Sequence, residues 1–155
     1  QFDVILLDCP PRWTPASINA LTCSDFVLVP VLLDRTSTEA VPRLLRWMHK
    51  LKVEGVSPDL EMMGVVGNRA MKKAELGKRE RNRWQELPLK CADAWQAPVY
   101  LFERFVPNKA LFAEAAETHG FAALDRELYP IFEELVAEME GRMVRDERFG
   151  PATVS

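Results

Sequence analysis

Apolar residues follow two rhythms along this chain, and their alternation predicts an α/β arrangement. Val4, Ile5, Leu6 and Leu7 are adjacent apolar residues, and Phe26 to Val31 and Met62 to Gly67 form similar runs. Short continuous runs with β-branched members read as strands covered on both faces, as in a parallel sheet. Between the runs the spacing changes. Val41, Leu44, Leu45, Met48 and Leu51 recur three and four residues apart, which predicts one buried stripe on a helix ending near Lys52. Leu124, Leu128, Ile131, Phe132, Leu135 and Met139 set a second stripe on a last helix from Phe121 to about Arg145. Strands alternating with helices predict a parallel sheet flanked by helices.

Punctuation residues fix the boundaries. Thr14 before Pro15 reads as an N-cap and first helical residue of a short helix reaching about Thr22. Thr36-Ser37-Thr38-Glu39 has capping-box spacing, with Pro42 in the first turn behind it. Gly55 to Asp59 is a connecting loop, and the third strand ends at Asn68. Met71 to Trp95 is expected to be helical with interruptions at Gly77 and Pro88. A short fourth strand is expected at Val99 to Phe102, and a helix from Pro107 to about Thr118. Tyr129-Pro130 is expected to kink the last helix.

Composition places few further limits. The chain has 155 residues, 48% hydrophobic and 28% charged, as in an ordinary globular domain. No apolar segment approaches the ~20 residues that span a bilayer. The three cysteines, Cys9, Cys23 and Cys91, fit neither a zinc pattern nor a disulfide framework, so they read as packing residues in a reducing cytoplasm. His49 and His119 lack partners at metal-ligand spacing, and Trp47, Trp84 and Trp95 read as packing residues. Net charge is −3 but unevenly spread: Arg69 to Arg83 holds seven basic and two acidic residues, and Glu114 to Glu147 holds ten acidic residues and three arginines. Such asymmetry suggests one surface for polyanions and another for basic partners.

Two strand ends carry candidate chemistry. Open parallel sheets bind ligands beyond the carboxyl ends of their strands. Asp8, at the end of the first run, can hold a magnesium ion or its water, or can simply accept the N–H groups of the turn. Asn68, at the end of Gly64-Val65-Val66-Gly67, offers donors and an acceptor that suit a purine base, or can form an Asx turn.

The succession of motifs is more specific than either residue. Phe2-Asp3-Val4-Ile5-Leu6-Leu7-Asp8-Cys9-Pro10-Pro11 is followed by Ser17-Ile18-Asn19-Ala20-Leu21 and Asp25-Phe26-Val27-Leu28-Val29-Pro30. Together they resemble the magnesium-site and switch II region of the ParA family of partition ATPases, P-loop NTPases of the deviant Walker type. The likeness continues to about Met143 and corresponds to the C-terminal half of that family's domain. The implied fold is a partial P-loop NTPase (Rossmann-like) domain lacking the N-terminal phosphate-loop unit. Residues 1–148 would be the C-terminal part of a single ParA-like nucleotide-binding domain and 149–155 a flexible tail, with Gln1 a truncation point.

The resemblance implies ATP and Mg²⁺ as cofactors, with Asp8 as the catalytic and metal-binding carboxylate and Pro10, Pro11 and Arg12 in a γ-phosphate-sensing loop. It also implies a base pocket from Asn68, Pro107 and Asn108. Pro107, Glu114 and Ala115 match the family's base-covering segment, whereas Asn108 and Leu111 replace arginines common there. Arg69, Lys72, Lys73, Lys78, Arg79, Arg81 and Arg83 are candidates for non-specific DNA contact, or a solvated helix face. The complete protein would form a homodimer, work in plasmid or chromosome partition and meet a ParB-like partner, without membrane association. This chain alone is expected to have little or no ATPase activity, because triphosphate binding depends on the missing loop. A half-sheet would expose an edge and apolar faces and tend to self-associate. The alternatives are a degenerate, non-catalytic ParA-like interaction module and a MinD-like membrane-cycling ATPase. The acidic C-terminal helix disfavours the latter.

Overall fold

The structure, a computed structural model, describes residues 4–10, 13–70, 76–108, 112, 126 and 128–143. The first helix starts where the Thr-Pro pair demands. Thr14 is extended, its hydroxyl accepts from the Ser17 N–H at 3.2 Å, and α1 (Pro15–Thr22) follows. β1 (Phe26–Leu32), α2 (Arg35–Val53), β2 (Glu61–Ala70), α3 (Lys78–Trp95), β3 (Val106–Pro107) and α4 (Tyr129–Met143) complete the order. The sheet is parallel, with strand order β1-β2-β3. It is an α/β sheet flanked by helices, consistent with a fragment of a P-loop NTPase-like domain.

Alternate residues of each strand feed two cores. Val29 and Val31 of β1 and Val65 of β2 join Val41, Leu45 and Met48 of α2 and Trp84, Leu87 and Cys91 of α3 in the larger one. On the other face Met63 and Val66 meet Phe102 and Leu135, with Phe26, Leu28 and Met139 at its margin. A bulge in β2 makes this division possible. The β1–β2 register shifts between Val27 and Leu28, where Val27 opposes Met62 and Leu28 opposes Gly64. The extra residue lets Met62 and Val65, three apart, point into the same core. Gly64 takes φ +155°, and a Cβ there would lie 2.7 Å from the Phe102 ring.

Five details differ from the sequence expectations. Val4 to Leu7 joins no strand of the sheet, and its side chains are 49–79% exposed. A strand exists only through a partner, and this run pairs with none of the described strands. The α2 cap is Asp34 rather than Thr36: its carboxylate accepts from the Ser37 N–H at 2.8 Å and the Ser37 hydroxyl at 2.8 Å. Asp is the stronger cap. The helix therefore starts earlier and Pro42 falls in its interior.

Val99 to Phe102 forms only one bridge, Leu101 to Val65, because the chain leaves β2 at Glu103 and returns at Val106. The last helix begins at Tyr129, so Pro130 sits in its first turn and introduces no kink. Cys9 and Cys23 are exposed, and only Cys91 packs in the core. The interruption at Gly77 is real, since it caps α3, whereas Pro88 is carried inside that helix. The helix expected after Pro107 falls mostly outside the described residues, as do Arg12 and the tail from Phe149.

Candidate strand-end site

The sheet brings Asn68 and Pro107 together. In the parallel register Asn68 lies between Leu32 of β1 and Val106 of β3, and Pro107 pairs with Ala70. Asn108 follows directly and is exposed. Both Asn68 and Pro107 are half-buried, so each presents part of its side chain at the carboxyl edge of the sheet. The Asn68 Oδ1 accepts from the Arg69 N–H at 2.9 Å, and Arg69 adopts φ +50°. Among the described residues that local bond leaves the second lone pair of Oδ1 and both Nδ2 hydrogens available. Close approach of the strands depends on Gly67, where a Cβ would lie 2.7 Å from the Phe105 ring.

β3 reaches this edge through an interrupted strand. Val65 donates to the Tyr100 carbonyl at 2.8 Å and accepts from the Phe102 N–H at 2.9 Å. The Glu103 amide faces away from β2 by the alternation of the strand, and the Arg104 amide, next in line to face β2, turns away from it as well. The amides of Glu103 and Arg104 donate to the Glu138 carboxylate of α4 at 2.8 and 3.4 Å, and the Tyr100 hydroxyl donates to it at 2.6 Å. The bond to Glu138, followed by burial, pushes the Tyr100 phenol up to about 12. One turn on, Arg142 lies 4.7 Å over the Tyr100 ring and donates to the Met63 carbonyl at 3.2 Å.

Asp8 is placed differently. It is exposed in the segment outside the sheet, and no strand pairing carries it to the edge that holds Asn68. Among the described residues no three His, Cys, Asp or Glu side chains cluster to hold a metal. A lone carboxylate still suits magnesium, which is usually held by one or two carboxylates plus phosphate oxygens and water. Sequence reasoning missed a second carboxylate at this side of the sheet. Asp34 follows β1 directly, and its hydrogen bonds to Ser37 hold its carboxyl below the ordinary value of 3.8. The Asp-x-x-Ser spacing was its signal.

The basic stretch is only partly free. Arg69, Lys78, Arg79 and Arg81 are exposed, while Lys72 and Lys73 lie outside the described residues. Arg81 donates to the Leu76 carbonyl, and Arg83 donates to the Leu33 carbonyl at 3.2 Å, which ties α3 to the end of β1. A cleft of about 190 Å³ between α2 and α3 has Arg35 and Lys90 on its walls. Both are already paired, with Glu39 at 2.8 Å and Glu86 at 3.0 Å. No helix among the described residues is long and apolar enough to cross a membrane.

A family model described as an AAA domain matches residues 1–62. The chromosome partitioning protein ParA of Myxococcus xanthus is 33% identical over 66 residues, 43% of this chain and 23% of that protein. The sporulation initiation inhibitor protein Soj of Bacillus subtilis is 36% identical over 66 residues, 43% of this chain and 26% of that protein. An uncharacterised protein of Methanocaldococcus jannaschii is 22% identical over 131 residues, 76% of this chain and 51% of that protein. The match spans about a quarter of the length of the ParA and Soj relatives. At modest identity and over part of its length, the chain is similar to the ParA and Soj partition proteins.

Proposed function

We propose that the chain is the base-recognising part of a ParA-like ATPase acting in plasmid or chromosome partition in the cytoplasm. The observation that carries this reading is the position of Asn68 and Pro107 on adjacent strands, β2 and β3, at the carboxyl edge of a parallel sheet, where such sheets take their ligands. Asn68 offers a donor and an acceptor side by side, the pattern that reads the N6 and N7 edge of adenine. Pro107 and Asn108 would cover the ring. Asp8 would hold Mg²⁺ through oxygen, and the metal would neutralise phosphate charge during transfer.

In the complete protein, ATP would drive dimerisation and non-specific DNA binding, and a ParB-like partner would stimulate hydrolysis. Arg69, Lys78 and Arg79 are exposed cations suited to phosphate contact. The 155-residue sequence contains no Gly-rich, Lys-containing phosphate loop, so the polypeptide by itself is expected to hydrolyse little ATP. A second reading, a non-catalytic interaction module, draws on the exposed apolar run Val4 to Leu7, a surface suited to a protein partner.

Adenosine titration followed by NMR tests the pocket without depending on phosphates. The expected result is a saturable shift of the Asn68 side-chain amide at millimolar ligand, absent with guanosine and absent in Asn68→Ala. Equal responses to both nucleosides would remove the base-pocket assignment.

A further inference from the structure

We propose that Glu138, on the far face of the sheet, is a positioning residue for the strand-end cleft: its carboxylate holds the break before β3 and so sets Val106 and Pro107 beside Asn68. The proposal rests on the reading of that cleft as a base pocket.

Strand irregularities leave backbone groups that must find partners elsewhere. Here the chain beside β2 pairs at Leu101, leaves at Glu103 and Arg104, and pairs again at Val106. The Arg104 amide, which the break takes from β2, and the outward-facing Glu103 amide converge on one carboxylate, which also takes the Tyr100 hydroxyl. Glu138 therefore receives three donors and fixes the length of the excursion. The bulge in β2 is served in the same way: Arg142, four residues along α4, donates to the carbonyl of the bulged residue Met63. α4 thus satisfies breaks in both neighbouring strands with adjacent turns of one helix. Bulges re-aim the residues that follow them, and those that follow this one are Phe105, against Gly67, and the pair Val106–Pro107. The neighbouring ion pair Arg104–Glu134 at 2.9 Å has both partners about half exposed, and it ties only the side chain of the loop.

Amide exchange and adenosine titration on the full 155-residue chain test the proposal, with Glu138→Gln as the main variant and Tyr100→Phe as a milder one. Glu134→Gln serves as the control that leaves the amides bonded. In Glu138→Gln, exchange at Glu103 and Arg104 is expected to rise about tenfold or more, the loss of charge-assisted bonds. Exchange at Val106 should rise with it and the adenosine shift at Asn68 should weaken, while Tyr100→Phe shows a smaller change in the same direction and Glu134→Gln none. Faster exchange confined to Glu103 and Arg104, with Val106 and the adenosine response unchanged, would overturn the proposal. Coupled loosening of Val106 in a chain that never responds to adenosine would support the positioning role and defeat the base-pocket reading instead.

Discussion

Replacing Gly64 by Ala probes the β2 bulge, on which the two-core packing depends. The added methyl would sit 2.7 Å from Phe102 Cε2 and 2.8 Å from the Tyr100 carbonyl oxygen, at φ +155°. The oxygen belongs to the backbone, and it is the acceptor for Val65, so it cannot step aside without breaking that bond. Overpacking of this kind costs about 1–3 kcal/mol, and a non-Gly residue held at unfavourable φ adds about 1–2 kcal/mol. A loss of roughly 2–5 kcal/mol follows from the two costs together. Two other glycines separate the contributions. Gly55 has φ +76° with nothing within 4 Å of its Cβ position, so Gly55→Ala should cost only the conformational part, about 1–2 kcal/mol. Gly141 lies in α4 with open space around it, and Gly141→Ala should stabilise by about 0.5–1 kcal/mol. Urea denaturation midpoints at constant m-value rank the three variants. If Gly64→Ala lost no more than Gly55→Ala, the close approach at the bulge would be refuted.

Four further outcomes follow from the geometry. Asp34→Ala should cost about 0.5–2 kcal/mol at neutral pH through loss of the α2 cap. Because the folded carboxyl lies below its ordinary 3.8, the ionised cap stabilises above that pH, and the deficit of the variant should vanish as pH falls through and below it. A thiol reagent should modify Cys9 and Cys23 quickly and Cys91 only on unfolding, since burial pushes that thiol up to about 11; three equally fast thiols would contradict the packing. Spectrophotometric titration should show a tyrosine ionising near 12 that moves down in Glu138→Gln. Lys78→Ala with Arg79→Ala should weaken any DNA binding alike across sequences and flatten its salt dependence by ~0.9 for each phosphate no longer neutralised. An unchanged slope would remove those two cations from the interface.

Legibility in the sequence tracked how local each signal is. Thr14-Pro15 located α1 to the residue, because a cap and the proline beside it act within one turn. β1 and β2 were visible as apolar runs, and the α2 stripe of Val41, Leu45 and Met48 faces the larger core as its spacing required. Val4 to Leu7 has the same composition as those strands and yet lies outside the sheet. Pattern reports a preference for burial, whereas pairing needs a neighbour that the pattern does not contain. The bulge at Met63 and Gly64 was hidden for a related reason, since a register shift is a property of two strands. Of the candidate site, Asn68 could be placed at a strand end from its own run. Glu138 could not, because its ligands lie 34 to 38 residues away. Asp34 was readable as a cap but was overshadowed by the Thr-Ser-Thr run two residues later.

Photolabelling with 8-azidoadenosine tests the central claim, an adenine-reading edge formed by Asn68 and the Val106–Asn108 segment, most directly. Label should concentrate in the peptides carrying those residues, be displaced by adenosine and not by guanosine, and fall in Asn68→Ala. Label spread evenly over the chain, or concentrated at the exposed run Val4 to Leu7, would contradict it.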